Sequence, residues 1–172
     1  MAKTAFVVPV PEAEVHVREL RERFDPSARI GVPAHVTVLA PFMAPEQLTD
    51  SVLATIVRAF SQLEPFAFEL RRVGRFQATA YLAPEPAEPF VALTRALVLK
   101  FPNFPPYGGV PASVIPHLTV ADGNPAQAEV AERQLKLLLA SRGPIQSTSG
   151  AVTLLENSTG RWEEIRAFAL RH

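Results

Sequence analysis

The pattern His-x-Thr-Val occurs twice in this chain, as His35-Val36-Thr37-Val38 and as His117-Leu118-Thr119-Val120, each time just after a proline, Pro33 or Pro116. In an extended strand successive side chains point to opposite faces, so each copy sets its histidine and threonine on one face and its two aliphatic residues on the other. At a rise of roughly 3.3 Å per residue, imidazole and hydroxyl stand roughly 7 Å apart, which is half of a site able to hold an oxyanion. One copy is a weak signal, since a lone strand histidine most simply belongs to a core or an edge. Two copies carry more weight. Strand packing favours valine or isoleucine at such positions and has no reason to select histidine and threonine twice.

The stretches around the two copies follow one order. Residues 4–10 form an apolar run that reads as a buried strand, and Ala13, Val17, Leu20 and Phe24 then recur at helical spacing up to Asp25-Pro26. After the motif strand at 34–42, Leu48, Val52, Ile56, Phe60 and Leu63 mark a second helix that Pro65 ends. Phe66, Phe68 and Leu70 alternate with polar residues as in a strand with one buried face, Gly74 marks a bulge or bend, and residues 79–83 complete a hairpin. The second half replays this order. Phe90, Leu93, Leu97 and Phe101 form a helical stripe, and a kinked Pro- and Gly-rich loop at 102–111 leads to the second motif strand. Asn124-Pro125 and Gly143-Pro144 bracket another helix, and strands at 145–156 and 161–170 flank a turn at 157–160.

Such a duplication predicts an α+β fold. The expectation is a single bilobal domain over residues 1–172, with approximate repeats 1–83 and 84–172 related by a pseudo-twofold axis. Each lobe is then an antiparallel-rich sheet with helices on its outer face, and the two motif strands line a central cleft.

Composition removes several alternatives. The 172 residues, 48% of them apolar, suffice for one core. A formal net charge of zero gives no general field for long nucleic acid or an anionic membrane, so a polyanionic partner is short or locally held. The absence of cysteine excludes disulfides, thiolate nucleophiles and Cys-based zinc sites. The first apolar run, broken by Pro9, is too short for a signal-peptide core or a membrane span. The expectation is a monomeric cytoplasmic protein with no membrane association and no obligate protein partner.

The residue types suggest the chemistry. Histidine, with an ordinary pKa of about 6.5, lets one copy act as base while the other, protonated, acts as acid near neutrality. Two imidazoles flanking a phosphate suit in-line displacement. One takes the proton of an attacking hydroxyl or water, and the other protonates the departing oxygen. The hydroxyls of Thr37 and Thr119 donate to the non-bridging oxygens, where negative charge builds. No metal or cofactor is expected. The chain has four histidines and places no carboxylate two or four positions from His35 or His117, which argues against a three-ligand zinc site.

The paired motifs in a chain of this length resemble the 2H phosphoesterase superfamily. Phe104-Pro-Pro-Tyr-Gly-Gly109 ahead of Val114-Ile-Pro-His-Leu-Thr-Val120 is similar to bacterial members called 2′-5′ RNA ligase family proteins. The resemblance covers essentially the whole chain. It implies a bilobal fold and metal-free hydrolysis of 2′,3′-cyclic phosphates to 2′-phosphates, on RNA ends or small nucleotides, and in some members reversible 2′-5′ ligation of RNA ends. It carries the catalytic roles to His35 and His117 and phosphate binding to Thr37 and Thr119.

Further candidates lie outside the motifs. Arg71, Arg72 and Arg75 bring positive charge to the first hairpin, and Arg75 is the candidate for a bidentate phosphate contact, against the plainer reading of a charged strand edge. Tyr81 and Tyr107 are candidates for stacking on a base, although aromatic residues also fill half-buried strands. His16 reads as an exposed helical residue and Trp162 as core. A module that binds a nucleotide or RNA end without turning it over remains the alternative. Intact motifs in both halves favour the enzyme.

Overall fold

The computed structural model describes residues 1–109 and 115–171. Among these residues eight strands and five α-helices follow one another: β1 (Thr4–Pro9), α1 (Pro11–Phe24), α2 (Pro26–Arg29), β2 (His35–Phe42), α3 (Asp50–Ser61), β3 (Phe66–Phe76), β4 (Thr79–Glu85), α4 (Glu88–Lys100), β5 (Leu118–Asp122), α5 (Pro125–Arg142), β6 (Ile145–Ser149), β7 (Ala151–Glu156) and β8 (Glu163–Ala169). The signals read for α5 act as expected: Pro125 opens it, the Asn124 side chain accepts from the Gln127 amide at 3.1 Å, and Gly143 ends it at φ 78°. Pro11 opens α1 in the same way.

All eight strands belong to one antiparallel sheet in the order β6-β3-β4-β5-β2-β1-β7-β8. The α+β class and the central placing of the motif strands agree with the sequence reading, but one continuous sheet replaces a separate sheet in each lobe. The chain also interleaves. On the His117 side of the sheet stand β3, β4, β5 and β6, and on the His35 side β2, β1, β7 and β8, so hairpin β3–β4 from the first half lies beside the second motif.

The stretch expected as one strand at 145–156 is divided at Gly150. Its first part pairs with β3 and its second with β1, placing β6 and β7 first and seventh in the sheet. One residue joins two strands that far apart only when the sheet curls. The inside of the curl is the face that the helices leave open, and buried Val7, Thr153 and Leu155 lie on it although no helix covers them.

Alternation along the strands sorts the residues between two faces. Phe6, Val8, Val36, Val38, Leu82, Leu118 and Val120 turn to the helices and join Val17 and Leu20 of α1, Ile56 and Phe60 of α3, Leu93 and Leu97 of α4 and Leu135 of α5 in one core. Phenylalanines knit it together, with Phe6 edge-on to Phe42 at 4.9 Å and Phe68 edge-on to Phe90 at 5.0 Å. Burying this face against the helices leaves His35, Thr37 and Thr119 on the other, half-buried inside the curl.

Candidate functional site

The two motif strands meet through the middle residue of each motif. Val36 of β2 pairs with Leu118 of β5 in antiparallel register. That register sets His35 beside Thr119 and Thr37 beside His117 on the open face. With strands about 4.8 Å apart and two residues of rise between them, the histidine Cα atoms stand diagonally, roughly 8 Å from one another. The two histidines thus occupy opposite corners, and Thr37 and Thr119 the other two, of one patch on the open face.

Both motifs contain the same irregularity. On β2 the register passes from Phe6↔Leu39 to Val7↔Thr37, leaving Val38 without a partner on β1. On β5 it passes from Ala80↔Ala121 to Tyr81↔Thr119, leaving Val120 without one on β4. The valine that follows each threonine is therefore a bulge residue, and it is buried together with its successor, Leu39 or Ala121. A bulge bends its strand and re-aims the neighbouring side chains. The carbonyl of Val38 accepts from the Thr94 hydroxyl of α4 at 2.6 Å, which satisfies a group the ladder would leave unpaired.

The histidine rings are held by one device used twice. His35 Nδ1 lies 2.7 Å from the Pro33 carbonyl, and His117 Nδ1 lies 2.6 Å from the Ile115 carbonyl. A carbonyl only accepts, so Nδ1 carries the proton in each ring and Nε2 keeps the free lone pair when the ring is neutral. Burial drives His35 down from 6.5 to about 4, with the positive Arg21 and His117 acting in the same direction and the Pro33 carbonyl and Asp25 opposing. Burial also lowers His117, against the Ile115 carbonyl and Asp122. Both rings are thus neutral at pH 7 in the free protein, whereas the sequence reading assumed an ordinary value for each. His117 itself stands one residue ahead of β5 and not within it.

The surroundings of the two rings differ. Phe76 meets His117 edge-on at 5.4 Å, Tyr81 lies against it at 5.3 Å, and Tyr107 lies near-parallel to it at 6.3 Å and 21°. Of these, Tyr81 and Tyr107 were sequence candidates, and the structure brings both to the second histidine. Phe76 was missed, and no sequence signal marked it, because its face follows from the pairing of Gly74 with Tyr81, which the hairpin's composition does not state. Tyr107 takes a left-handed conformation at φ 51° ahead of Gly108 and Gly109, and burial raises its phenol, which stays protonated at neutral pH. The end of the expected 102–111 loop and Val114 of the resembling stretch lie outside the described residues.

Arg75 is placed away from the histidines. Its guanidinium pairs with Glu132 of α5 at 3.5 Å and donates to the carbonyls of Phe76 and Gln77, so it secures the β3–β4 turn to the helix layer. Arg72 pairs with Glu85 at 2.6 Å and Arg71 with Glu69 at 3.4 Å, as a charged strand edge would. The irregularity expected at Gly74 falls between Leu70 and Arg72 instead. Gly74 serves a different purpose, since a Cβ there would overlap the Tyr81 ring. Gly74→Ala is expected to destabilise the protein by about 1–3 kcal/mol, as overpacking does. It should also shift the ring proton resonances of His117 while leaving those of His35 in place, which a histidine-detected NMR spectrum checks.

Among the described residues no three of His, Cys, Asp and Glu form a group able to hold a metal ion, and no helix is long and apolar enough to cross a membrane. A family model described as the 2′-5′ RNA ligase superfamily matches residues 9–161. A protein of Bacillus cytotoxicus provisionally named a phosphoesterase is 29% identical over 107 residues, which are 59% of this chain and 58% of that protein. The match thus spans less than two thirds of that relative's length. Among solved structures, TT0787 of Thermus thermophilus superposes with a TM-score of 0.64 at 19% identity, covering 98% of both chains. LigT of E. coli in complex with 3′-AMP superposes with a TM-score of 0.64 at 15% identity, covering 99% of this chain and 98% of that one. At these identities the likeness is one of fold.

Proposed function

The chain belongs to the 2′-5′ RNA ligase superfamily, and on that premise we propose that it is a metal-independent phosphoesterase opening 2′,3′-cyclic phosphates, on RNA ends or small nucleotides, to 2′-phosphates. The observation that carries this reading is the paired Nδ1–H···O=C device, which leaves two Nε2 atoms free beside two threonine hydroxyls. In the reaction one Nε2 takes a proton from water as its oxygen attacks phosphorus, and the P–O3′ bond breaks. The other imidazole, protonated, delivers its proton to the departing 3′ oxygen. The product is a 2′-phosphate with a free 3′-hydroxyl, and the two rings have exchanged protonation states. Thr37 and Thr119 donate to the non-bridging oxygens, where charge accumulates.

The same displacement with an RNA 5′-hydroxyl attacking in place of water gives 2′-5′ ligation, and its reverse, attack of the 3′-hydroxyl on phosphorus with the 5′ oxygen leaving, cleaves that bond. Tyr107, exposed beside His117, offers a face to the base, whereas Tyr81 is buried against Phe76 and His117 and backs the ring from within, and the LigT structure with 3′-AMP supports a nucleotide as ligand for a fold of this kind. Zero net charge favours a short RNA end or a free nucleotide over a long strand.

The test is a panel of nucleoside 2′,3′-cyclic phosphates assayed with EDTA present, with the product isomer identified. Turnover is expected to survive the chelator and to yield the 2′-phosphate. Activity lost to EDTA and restored by zinc or manganese would point to a metallophosphoesterase. Binding of the nucleotides without turnover would leave the binding module.

A further inference from the structure

The three residues ahead of His35 are gripped by helix α1 through two charged side chains. Arg21 is 3% exposed, pairs with Asp25 at 3.1 Å, and donates from Nη2 to the Val32 carbonyl at 3.0 Å and to the Ser27 hydroxyl at 3.2 Å. About two turns earlier on the same helix, the Glu14 carboxylate accepts from the Ala34 amide at 2.6 Å. The remaining backbone groups of the segment are also paired: the Val32 amide donates to the Ser27 carbonyl at 3.0 Å, and the Ala34 carbonyl accepts from the Val10 amide at 2.8 Å. Proline supplies no amide of its own. That leaves the Pro33 carbonyl, held between two anchored neighbours, and this carbonyl orients the His35 ring.

Ion pairs at the surface or within one helix turn hold little by themselves. Here the charged groups reach out of the helix to main-chain atoms 11 and 20 residues away. A buried arginine paired with one carboxylate and a carbonyl is a rigid fork, and a carboxylate accepting an amide proton is a strong, directional bond. We infer that Glu14 and Arg21 are positioning residues for His35, clamping the segment 32–34 so that the Pro33 carbonyl holds Nδ1–H and turns Nε2 into the site. His35 fixes the site's chemistry only under the function proposed above, but its ring geometry can be read without any assay.

The experiment records ring nitrogen–proton correlations of His35 and His117 at pH 7, where both rings are neutral, in the wild type, Glu14→Ala, Glu14→Gln and Arg21→Lys, with kcat and KM measured on the same preparations. The wild type is expected to show Nδ1–H at both rings. In Glu14→Ala and in Arg21→Lys, which keeps the charge opposite Asp25 but loses the fork, His35 should move to a tautomer mixture. His117 should stay unmoved in the same spectra. A fall in kcat on the order of tenfold, with KM little changed, should accompany the tautomer shift. Glu14→Gln retains an acceptor and should restore both readings. His35 unmoved in Glu14→Ala, or His117 moving as much as His35, would overturn the inference, and should Arg21→Lys fail to fold, Glu14→Ala decides alone. Absence of turnover in the wild type would count against the proposed function and leave the tautomer result standing.

Discussion

Replacing either His35 or His117 with alanine is expected to lower turnover of a nucleoside 2′,3′-cyclic phosphate by at least about 10²-fold, the smaller end of what a positioned acid or base contributes. The two groups act on one displacement, so once either is gone the other has little left to assist. The double variant should therefore lose far less than the product of the two single losses. Neither change should threaten the fold. Both rings face the open side of the sheet and are half-buried, while the residues that fill the core at these places are Val36 and Leu118. Thermal unfolding of each variant provides the control. Near-wild-type turnover in either single variant would remove that histidine from the reaction.

The second large effect is on pH dependence. One histidine must be neutral and the other protonated, so kcat/KM traces a bell whose limbs are macroscopic values of the pair. Burial holds His35 at about 4 and His117 below its ordinary 6.5. A lowered pKa means that the proton needed by the acid is lost at lower pH, so the alkaline limb lies below 6.5 and kcat/KM falls about tenfold per pH unit above it. The maximum is thus on the acidic side of the neutral optimum that ordinary histidines would give. A bound phosphate anion favours the charged imidazole, and the alkaline limb of kcat should stand higher than that of kcat/KM. Rates measured from about pH 3 to 8.5, a range that brackets both limbs, decide the matter. A profile that rises to a plateau with pH would mean that a single histidine titrates in the reaction.

What the sequence disclosed and what it concealed divide along physical lines. The motif histidines and threonines were legible because strand alternation is a rule of the backbone, and α5 because an Asn-Pro start and a Gly-Pro stop satisfy the ends of a helix locally. The bulges at Val38 and Val120 were not legible, since valine is the ordinary occupant of a strand and nothing in its neighbours states which residue opposite it is skipped. Gly150 was hidden for the same reason. A strand's pattern tells which face is buried but not which partner it pairs with, and here the partner changes in mid-run. Arg75 and Gly74 are adjacent and face opposite ways. Only the register with Tyr81 decides that the glycine looks into the site and the arginine toward Glu132. The grip of Glu14 and Arg21 on residues 32–34 depends on a helix–loop contact that no local pattern announces.

The interleaved strand order bears on how the protein is made. On a ribosome, β2 emerges early, but its neighbour β1 waits for β7, more than a hundred residues later, before both its edges are paired. Until then β1 presents an open ladder of amides and carbonyls in the nascent chain, the kind of edge that recruits other strands. Pairings of such sequence separation close slowly, because the entropy of a long loop must be given up before its contacts form. Folding of the His35 side therefore waits on synthesis of β7 and β8. In that interval the unpaired side of β1 is the edge of the emerging chain most open to pairing with a foreign strand.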